Sequence, residues 1–400
     1  MSKLEKLLNG VEVEWQPLGK VIKSLKTGLN PRKFFVLNTS DAEGYYVTVR
    51  EIKNGKIVFL DKTDRVNSES LQLINNRSNL EIGDILFSGT GTVGRTAVIN
   101  ESPHNWNIKE GIYVLKPIQE RLTSKYLSHL LNAEFIVKSY SRKVVGSPVV
   151  SLPMKELKKL LIPIPPLKIQ KEIVRILDSF TELTTELTTE LTARKKQYSY
   201  YREQLLTFEE SEAEFKTLGE VGEVRMCKRI LKKQTSSEGD IPFYKIGTFG
   251  KEPNAYISNE LFNEYKSKYN YPKIGEVLIS ASGTIGRTVI FDGKNAYFQD
   301  SNIVWLENDE DQVLNSYLFY YYQIAKWHTA EGGTIKRLYN NDLKKTKIQI
   351  PSLKEQERIV NILDKFDTLT TSISEGLPKE IDQRKKQYEY YREKLLSFPK

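Results

Sequence analysis

Residues 89–94 read Gly-Thr-Gly-Thr-Val-Gly, the G-x-G-x-x-G spacing with which a backbone loop cradles a dinucleotide. Gly89 to Thr96 also fit a phosphate-binding loop, except that Arg95 stands where lysine belongs. Both chemistries need a helix directly after the loop, whose N-terminal N–H groups face the phosphate. Instead the chain continues with Thr96-Ala97-Val98-Ile99, a largely β-branched run that reads as a strand. A matching stretch, Ala281 to Thr288, lacks the first glycine yet keeps Gly283, Thr284, Gly286, Arg287 and Thr288. The shared element is therefore G-T-x-G-R-T in a turn. It is either a structural turn without ligand or a loop whose Thr, Arg and N–H groups meet nucleic-acid phosphates or base edges.

Other chemistry is poorly supplied. The only Pro-Pro, 165–166, sits at a helix start, and Asn30-Pro31-Arg32 fails at its third position, so the segment an adenine methyltransferase needs is missing. No Pro-Asp dipeptide begins a common nuclease motif. His104, His129 and His328 have no metal-ligand spacing, and the single cysteine, Cys227, reads as a packed thiol. The chain is expected not to be an enzyme and to hold no cofactor or metal of its own. One cysteine excludes a disulfide framework and points to the cytoplasm. No apolar run approaches a membrane span, and the N-terminus is read as no signal peptide. A formal charge of +9 and a pI near 9.1 favour a polyanionic partner.

The elements that position these loops occur twice. Residues 162–180 and 348–366 are identical at 12 of 19 positions, at an offset of 186 (348 − 162). Residues 194–208 and 384–398 agree at 12 of 15, at an offset of 190 (384 − 194). Self-similarity on this scale means two equivalent units. Each copy reads as a long helix. In the first, Ile173, Ile176, Phe180, Leu183, Leu187, Leu191, Tyr198, Tyr201 and Leu205 mostly follow a coiled-coil seam. Thr-Glu-Leu-Thr occurs three times in succession over 181–192, a period of 4 that acts as a stutter. In the second copy Ser352 and Glu355 form a capping box, and one more four-residue step runs through Leu369, Ile373, Leu377 and Ile381. Gly376 and Pro378 kink or break that helix.

Upstream of each helix lies a mixed α/β domain. Trp15 pairs with Phe215, and Leu18-Gly19 with Leu218-Gly219. Basic stretches read as exposed loops come next: Lys23, Lys26, Arg32 and Lys33 in the first domain, Lys228, Arg229, Lys232 and Lys233 in the second. Residues 45–52 and 243–247 alternate as strands, and 126–135 and 317–326 read as helices. A second glycine loop comes after each helix, at Val145–Pro148 and at Gly332–Thr334. Glu5-Lys6-Leu7-Leu8 repeats Glu393-Lys394-Leu395-Leu396, which would bring the chain ends together. The expected class is α+β: two similar domains separated by two long antiparallel coiled-coil-like helices, pseudo-two-fold and pseudo-cyclic. The divisions are 1–165, 166–210, 211–350 and 351–400.

Two variable domains, each followed by an I-P-x-P-L-x-x-Q-x-x-I-V-x-I-L-D helix, with Thr-Glu-Leu-Thr repeats in the central one, resemble the specificity subunit of type I restriction-modification systems. The resemblance covers nearly the whole chain. It implies that each domain is a target recognition domain reading half of a bipartite asymmetric site in double-stranded DNA. It further implies that the helices bind two methyltransferase subunits, through which restriction subunits attach. S-adenosylmethionine, ATP and magnesium then belong to those partners. The best candidates for DNA contact are Lys26, Arg32, Lys33, Thr92, Arg95, Arg142 and Lys143 in the first domain, and Lys228, Arg229, Lys233, Thr284, Arg287, Lys336 and Arg337 in the second. The Arg-Lys-Lys triplets at 194–196 and 384–386 face phosphates, partner subunits or water. The rival class is a coiled-coil protein adaptor that touches no DNA.

Overall fold

A computed structural model describes residues 7–328 and 336–399. The chain divides into two compact units, residues 1–187 with 381–400, and residues 188–380. Each unit thus draws on one domain and on part of each long helix.

The first unit is built on a four-stranded antiparallel sheet in the order Ile22–Thr27, Ile112–Pro117, Ile85–Ser88, Thr96–Val98. A three-stranded sheet, Arg65–Val66, Gly44–Val47 and Trp106–Ile108, includes one parallel pair. The two-stranded pair Glu14–Pro17 and Leu161–Ile164 closes the domain where the chain enters the central helix. The second unit repeats all three. Its four strands are Glu223–Arg225, Ile303–Glu307, Val277–Ser280 and Thr288–Ile290. Its three are Tyr256–Ile257, Ile241–Tyr244 and Tyr297–Phe298, and its pair is Glu214–Thr217 with Lys347–Ile350.

Strand periodicity explains the double core. Successive side chains point to opposite faces, so Ile85 and Phe87 enter the core that holds the helices, while Leu86 enters a second core with Val47 and Trp106. Val277 and Ile279 against Leu278 divide the second unit's sheet in the same way. Lys23 and Lys26, expected in a loop, lie on Ile22–Thr27, both exposed while Ile22 and Leu25 are buried; a register shift opposite Lys116 and Pro117 skips Lys23 and interrupts the strict alternation.

The central helix is continuous from Leu167 to Leu205, 39 residues or about 60 Å at ~1.5 Å per residue. It runs unbroken through the Thr-Glu-Leu-Thr repeats. There the hydroxyls of Thr181, Thr184, Thr185 and Thr192 each donate to the carbonyl four residues back. Those bonds satisfy the hydroxyls within the helix, where threonine has poor propensity.

The distal copy does break. One helix covers Leu353–Thr371 and a second Leu377–Leu396. A Cβ on Gly376 would lie 2.3 Å from the Thr368 carbonyl oxygen, so only glycine lets the chain fold back over the helix end. Pro378 is the second residue of the next helix, where its missing N–H has no intrahelical partner to lose. The expected seam through Ile373 is corrected here: Ile373 is 87 % exposed, and the added residues form the connection rather than another helical step. The capping box is half realised. Ser352 Oγ accepts from Glu355 N–H, but the Glu355 carboxylate takes a bidentate bond from Arg358 instead of closing the box. A charged fork is the stronger partner. The helix expected over 317–326 ends at Tyr321, whereas 126–135 splits into Ser124–Leu131 and Glu134–Ser141.

Each domain is fastened to its helix by a buried glutamine. Gln170 Oε1 accepts from Thr123 N–H at 2.9 Å, and its Nε2 donates to the carbonyls of Arg121 (2.7 Å) and Pro165 (2.9 Å). Gln356 repeats this with Leu314 N–H (2.9 Å), Gln312 (2.8 Å) and Pro351 (2.9 Å). In the first unit Phe180 stacks on Tyr391 with centroids 5.2 Å apart; in the second Tyr201 stacks on Phe366 at 5.7 Å. Leu7 and Leu8 pack on the core that contains Leu395 and Leu396, and Trp15 Nε1 donates to the Pro399 carbonyl. Residues 7–15 and 395–399 therefore meet in one unit. Glu5 and Lys6 lie outside the described residues, as does the loop 332–334.

Candidate nucleic-acid interface

The G-T-x-G-R-T turn is organised by a serine before it. Ser88 Oγ donates to the Thr92 carbonyl and accepts from Arg95 N–H at 2.8 Å, while Gly94 N–H donates to the Ser88 carbonyl at 2.9 Å. Ser280 makes the same three bonds to Thr284, Arg287 and Gly286. Gly94 has φ +101°, and a Cβ there would sit 2.3 Å from Tyr140 Oη; at Gly286 (φ +82°) it would meet Trp327 Nε1 at 2.4 Å. Both turns thus lie beneath an aromatic lid.

This geometry excludes the phosphate-loop reading. A strand, Thr96–Val98, comes directly after the turn, and Gly91 N–H already donates to the Val150 carbonyl at 2.8 Å. Arg95 Nη1 donates to the Val49 carbonyl at 3.0 Å and Arg287 Nη1 to the Phe249 carbonyl at 2.9 Å. Each arginine therefore ties the turn to the segment after the middle strand of the neighbouring three-stranded sheet. Burial pushes the Cys227 thiol up to about 12, which keeps it protonated and unreactive. Among the described residues no histidine, cysteine or carboxylate cluster could hold a metal ion. No described helix is long and apolar enough to cross a membrane.

Sheet register brings the basic residues together. Thr27 and Ser88 stand opposite Tyr113 and Ile112, so the strands Ile22–Thr27 and Ile85–Ser88 both finish at the end where Ile112–Pro117 begins. The segments leaving that end carry Arg32 and Lys33, on the short helix Pro31–Phe34, and Thr92 and Arg95. Lys26 is the penultimate residue of its strand. The second glycine loop joins them: Leu152 N–H donates to the Gly89 carbonyl at 2.8 Å, and Thr90 Oγ1 lies 3.1 Å from Ser151 Oγ. That contact places Arg142 and Lys143, both exposed, beside the turn.

The second unit repeats the gathering. Arg225 and Ser280 stand opposite Trp305 and Ile303, so the segment with Lys228, Arg229 and Lys233 and the turn with Thr284 and Arg287 leave one end of the sheet. Gly283 N–H donates to the Lys336 carbonyl at 3.2 Å, and Ser282 bridges Arg337.

Apolar side chains escaped the sequence reading. Phe34, Val36, Val145 and Val149 are 55 %, 69 %, 56 % and 63 % exposed on the basic segments of the first unit. Leu231, Tyr269 and Tyr339 are exposed on the second, with Lys228 Nζ 5.0 Å from the Tyr269 ring centroid. Apolar groups among cations suit thymine methyl contacts beside phosphate contacts. The signal was local: Phe34-Phe35-Val36 directly follows Arg32-Lys33.

A family model described as the type I restriction modification DNA specificity domain matches the chain twice, at residues 12–195 and 210–383. The chain belongs to that family. It is 52 % identical over 404 residues to a protein of Haemophilus influenzae named as a putative type I restriction enzyme specificity subunit, spanning 99 % of this chain and 98 % of that one. It is 34 % identical over 425 residues to a type I restriction enzyme specificity subunit of Escherichia coli, spanning 100 % and 98 %. Among solved structures it is similar to a chain from a type I restriction-modification assembly, with TM-score 0.62, 20 % identity and coverage of 97 % and 98 %. It is also similar to a type I S subunit from M. genitalium, with TM-score 0.54, 15 % identity and 100 % of both chains. These two likenesses show a shared fold.

Proposed function

We propose that this chain is the DNA-reading subunit of a type I restriction-modification complex, each unit reading one half of a bipartite asymmetric site. The observation that carries the reading is the doubled gathering of basic and apolar residues at one end of each unit's sheet, where loops can differ while the frame stays fixed. Lysines and arginines neutralise phosphates, and a few side chains per unit reach base edges in the major groove. The fourteen candidate residues divide between these tasks, with Arg95 and Arg287 also bracing the turn.

The helices set the spacer between half-sites and present apolar and tyrosine-rich surface to two methyltransferase subunits, with restriction subunits attached through these. Tyr200 and Tyr390, at matching positions, are 60 % and 59 % exposed, which supports a repeated docking face. In this reading S-adenosylmethionine, ATP and magnesium act on the partner subunits, in the cytoplasm. Methylation mapping of host DNA with and without this chain tests the proposal. A bipartite motif that disappears with the chain is expected; an unchanged methylome together with no salt-sensitive duplex binding by the purified assembly would favour a protein adaptor.

A further inference from the structure

The first unit carries a groove of about 750 Å³ lined by Leu25, Met154 and Leu161 together with Lys20, Lys155, Lys158 and Lys159. Its backbone is tightly set: a Cβ on Gly19 would come 3.2 Å from both the Cβ and the carbonyl oxygen of Lys158. Lys159 is paired with Glu156 at 2.8 Å. Among the described residues no carboxylate reaches ion-pair distance of Lys20, Lys155 or Lys158, and all three are exposed or half-exposed.

The second unit has the same frame with the charge removed. Gly219 meets Lys344 Cβ at 3.2 Å, as Gly19 meets Lys158. Yet Glu220 replaces Lys20, Glu223 replaces Lys23, and Asn341 replaces Lys155. Lys344 is tied to Glu223 at 2.8 Å. Three cations in one unit thus stand where the other has a carboxylate, a neutral amide and a paired lysine.

We propose that the first unit grips DNA phosphates through Lys20, Lys155 and Lys158, a non-reading contact that the second unit lacks. The inference rests on the DNA-reading function proposed above and adds a one-sided backbone contact to it. Position selects DNA over an acidic protein. Leu152 N–H donates to the Gly89 carbonyl of the readout turn at 2.8 Å, and the helix Met154–Lys158, which carries Lys155 and Lys158, starts two residues later, so one short segment joins turn and groove. Lysine stems line such a groove while their ammonium groups reach outward.

The test uses the chain assembled with its methyltransferase partner and a duplex bearing the mapped bipartite site. Each lysine–phosphate contact contributes about −0.9 to the slope of log affinity against log salt, so Lys20→Gln, Lys155→Gln and Lys158→Gln together should make it shallower by about 2.7. The wild type would then lose about 40-fold more affinity than the triple variant between roughly 50 and 200 mM salt. Neutralising phosphates singly as methylphosphonates should weaken the wild type beside the first unit's half-site, with no such effect in the triple variant. Glu220→Lys with Glu223→Lys should steepen the slope. A triple-variant slope within one of wild type overturns the proposal. So does a triple variant that keeps its slope but no longer assembles with the partner, which would mark an acidic protein face. Loss of bipartite methylation by the wild type itself would instead refute the reading function.

Discussion

In the first unit Asp84 accepts a hydrogen bond from Lys116 Nζ at 2.8 Å. At the matching positions of the second, Glu276 is buried near Glu307, and Glu276 Oε1 has no hydrogen-bond partner. Near the helices, Asp178 bonds His129 Nε2 at 2.9 Å in the first unit, while its counterpart Asp364 accepts from the Tyr320 hydroxyl in the second. Backbone-directed bonds do not vary in this way. Tyr126 and Tyr317 both donate to the carbonyl of the strand that leads into a long helix, at 3.2 Å and 2.8 Å. Bonds that define chain path recur in both units, whereas the partners of Asp84 and Asp178 differ from those of Glu276 and Asp364. A frame held by backbone and amide bonds tolerates changed surface charge, and that tolerance lets two copies read different sequences.

Cutting the central helix should have the greatest consequence. Four residues add about 40° of net rotation beyond a full turn, close to the roughly 35° of one base pair, whereas two residues add about 200°. Deleting Thr185–Thr188 should leave both half-sites unchanged and shorten the non-specific spacer by one base pair. Deleting only two of these residues should abolish activity. Methylation mapping checks both, and an active four-residue deletion with an unchanged spacer would show that the helix is no ruler.

Next come the glutamine clamps. Gln170→Leu strands one buried N–H and two carbonyls, a loss of about 3 kcal/mol at roughly 1 kcal/mol per bond. It should destabilise the first unit and Gln356→Leu the second by similar amounts. Hydrogen exchange resolved by unit measures this; losses under about 1 kcal/mol, or a loss shared by both units, would deny that the clamps are equivalent and local.

A subtler comparison concerns pH. Burial is the main cause that raises the carboxyl above its ordinary value in both Asp84 and Glu276, but Lys116 donates to Asp84 whereas Glu307 stands at that position beside Glu276 and raises it further. The protonated form suits the folded state, so stability present at low pH is lost as pH rises through the raised folded value. Glu276→Gln should therefore stabilise the second unit at neutral pH by about 1 kcal/mol and flatten its decline above the ordinary carboxyl range. Thermal unfolding from pH 4 to 8 reads the difference, and equal pH profiles for variant and wild type would rule it out.

The doubled fold was legible because its helices repeat in sequence and because glycine loops between β-branched runs mark turns. The clamp was less legible. Gln170 appears in the shared helix motif, but its partners at Arg121 and Thr123 are brought near only by folding. Ser88 and Ser280 were visible as residues and silent as organisers, since their bonds depend on the turn already being closed. Gly376 announced a break without showing that Ile373 would leave the seam, because four added residues look alike in a periodic sequence whether they extend a helix or join two. The swapped charges around Gly19 and Gly219 acquire meaning only once both glycines are seen against equivalent lysines.

Two like frames that read independently can be exchanged one at a time. Residues 12–165 replaced with the matching domain of a relative, and the product subjected to methylation mapping, put that independence at stake. One half-site should change to that of the donor while the other half-site and the spacer stay fixed. Changes in both half-sites would mean that the two units do not read independently.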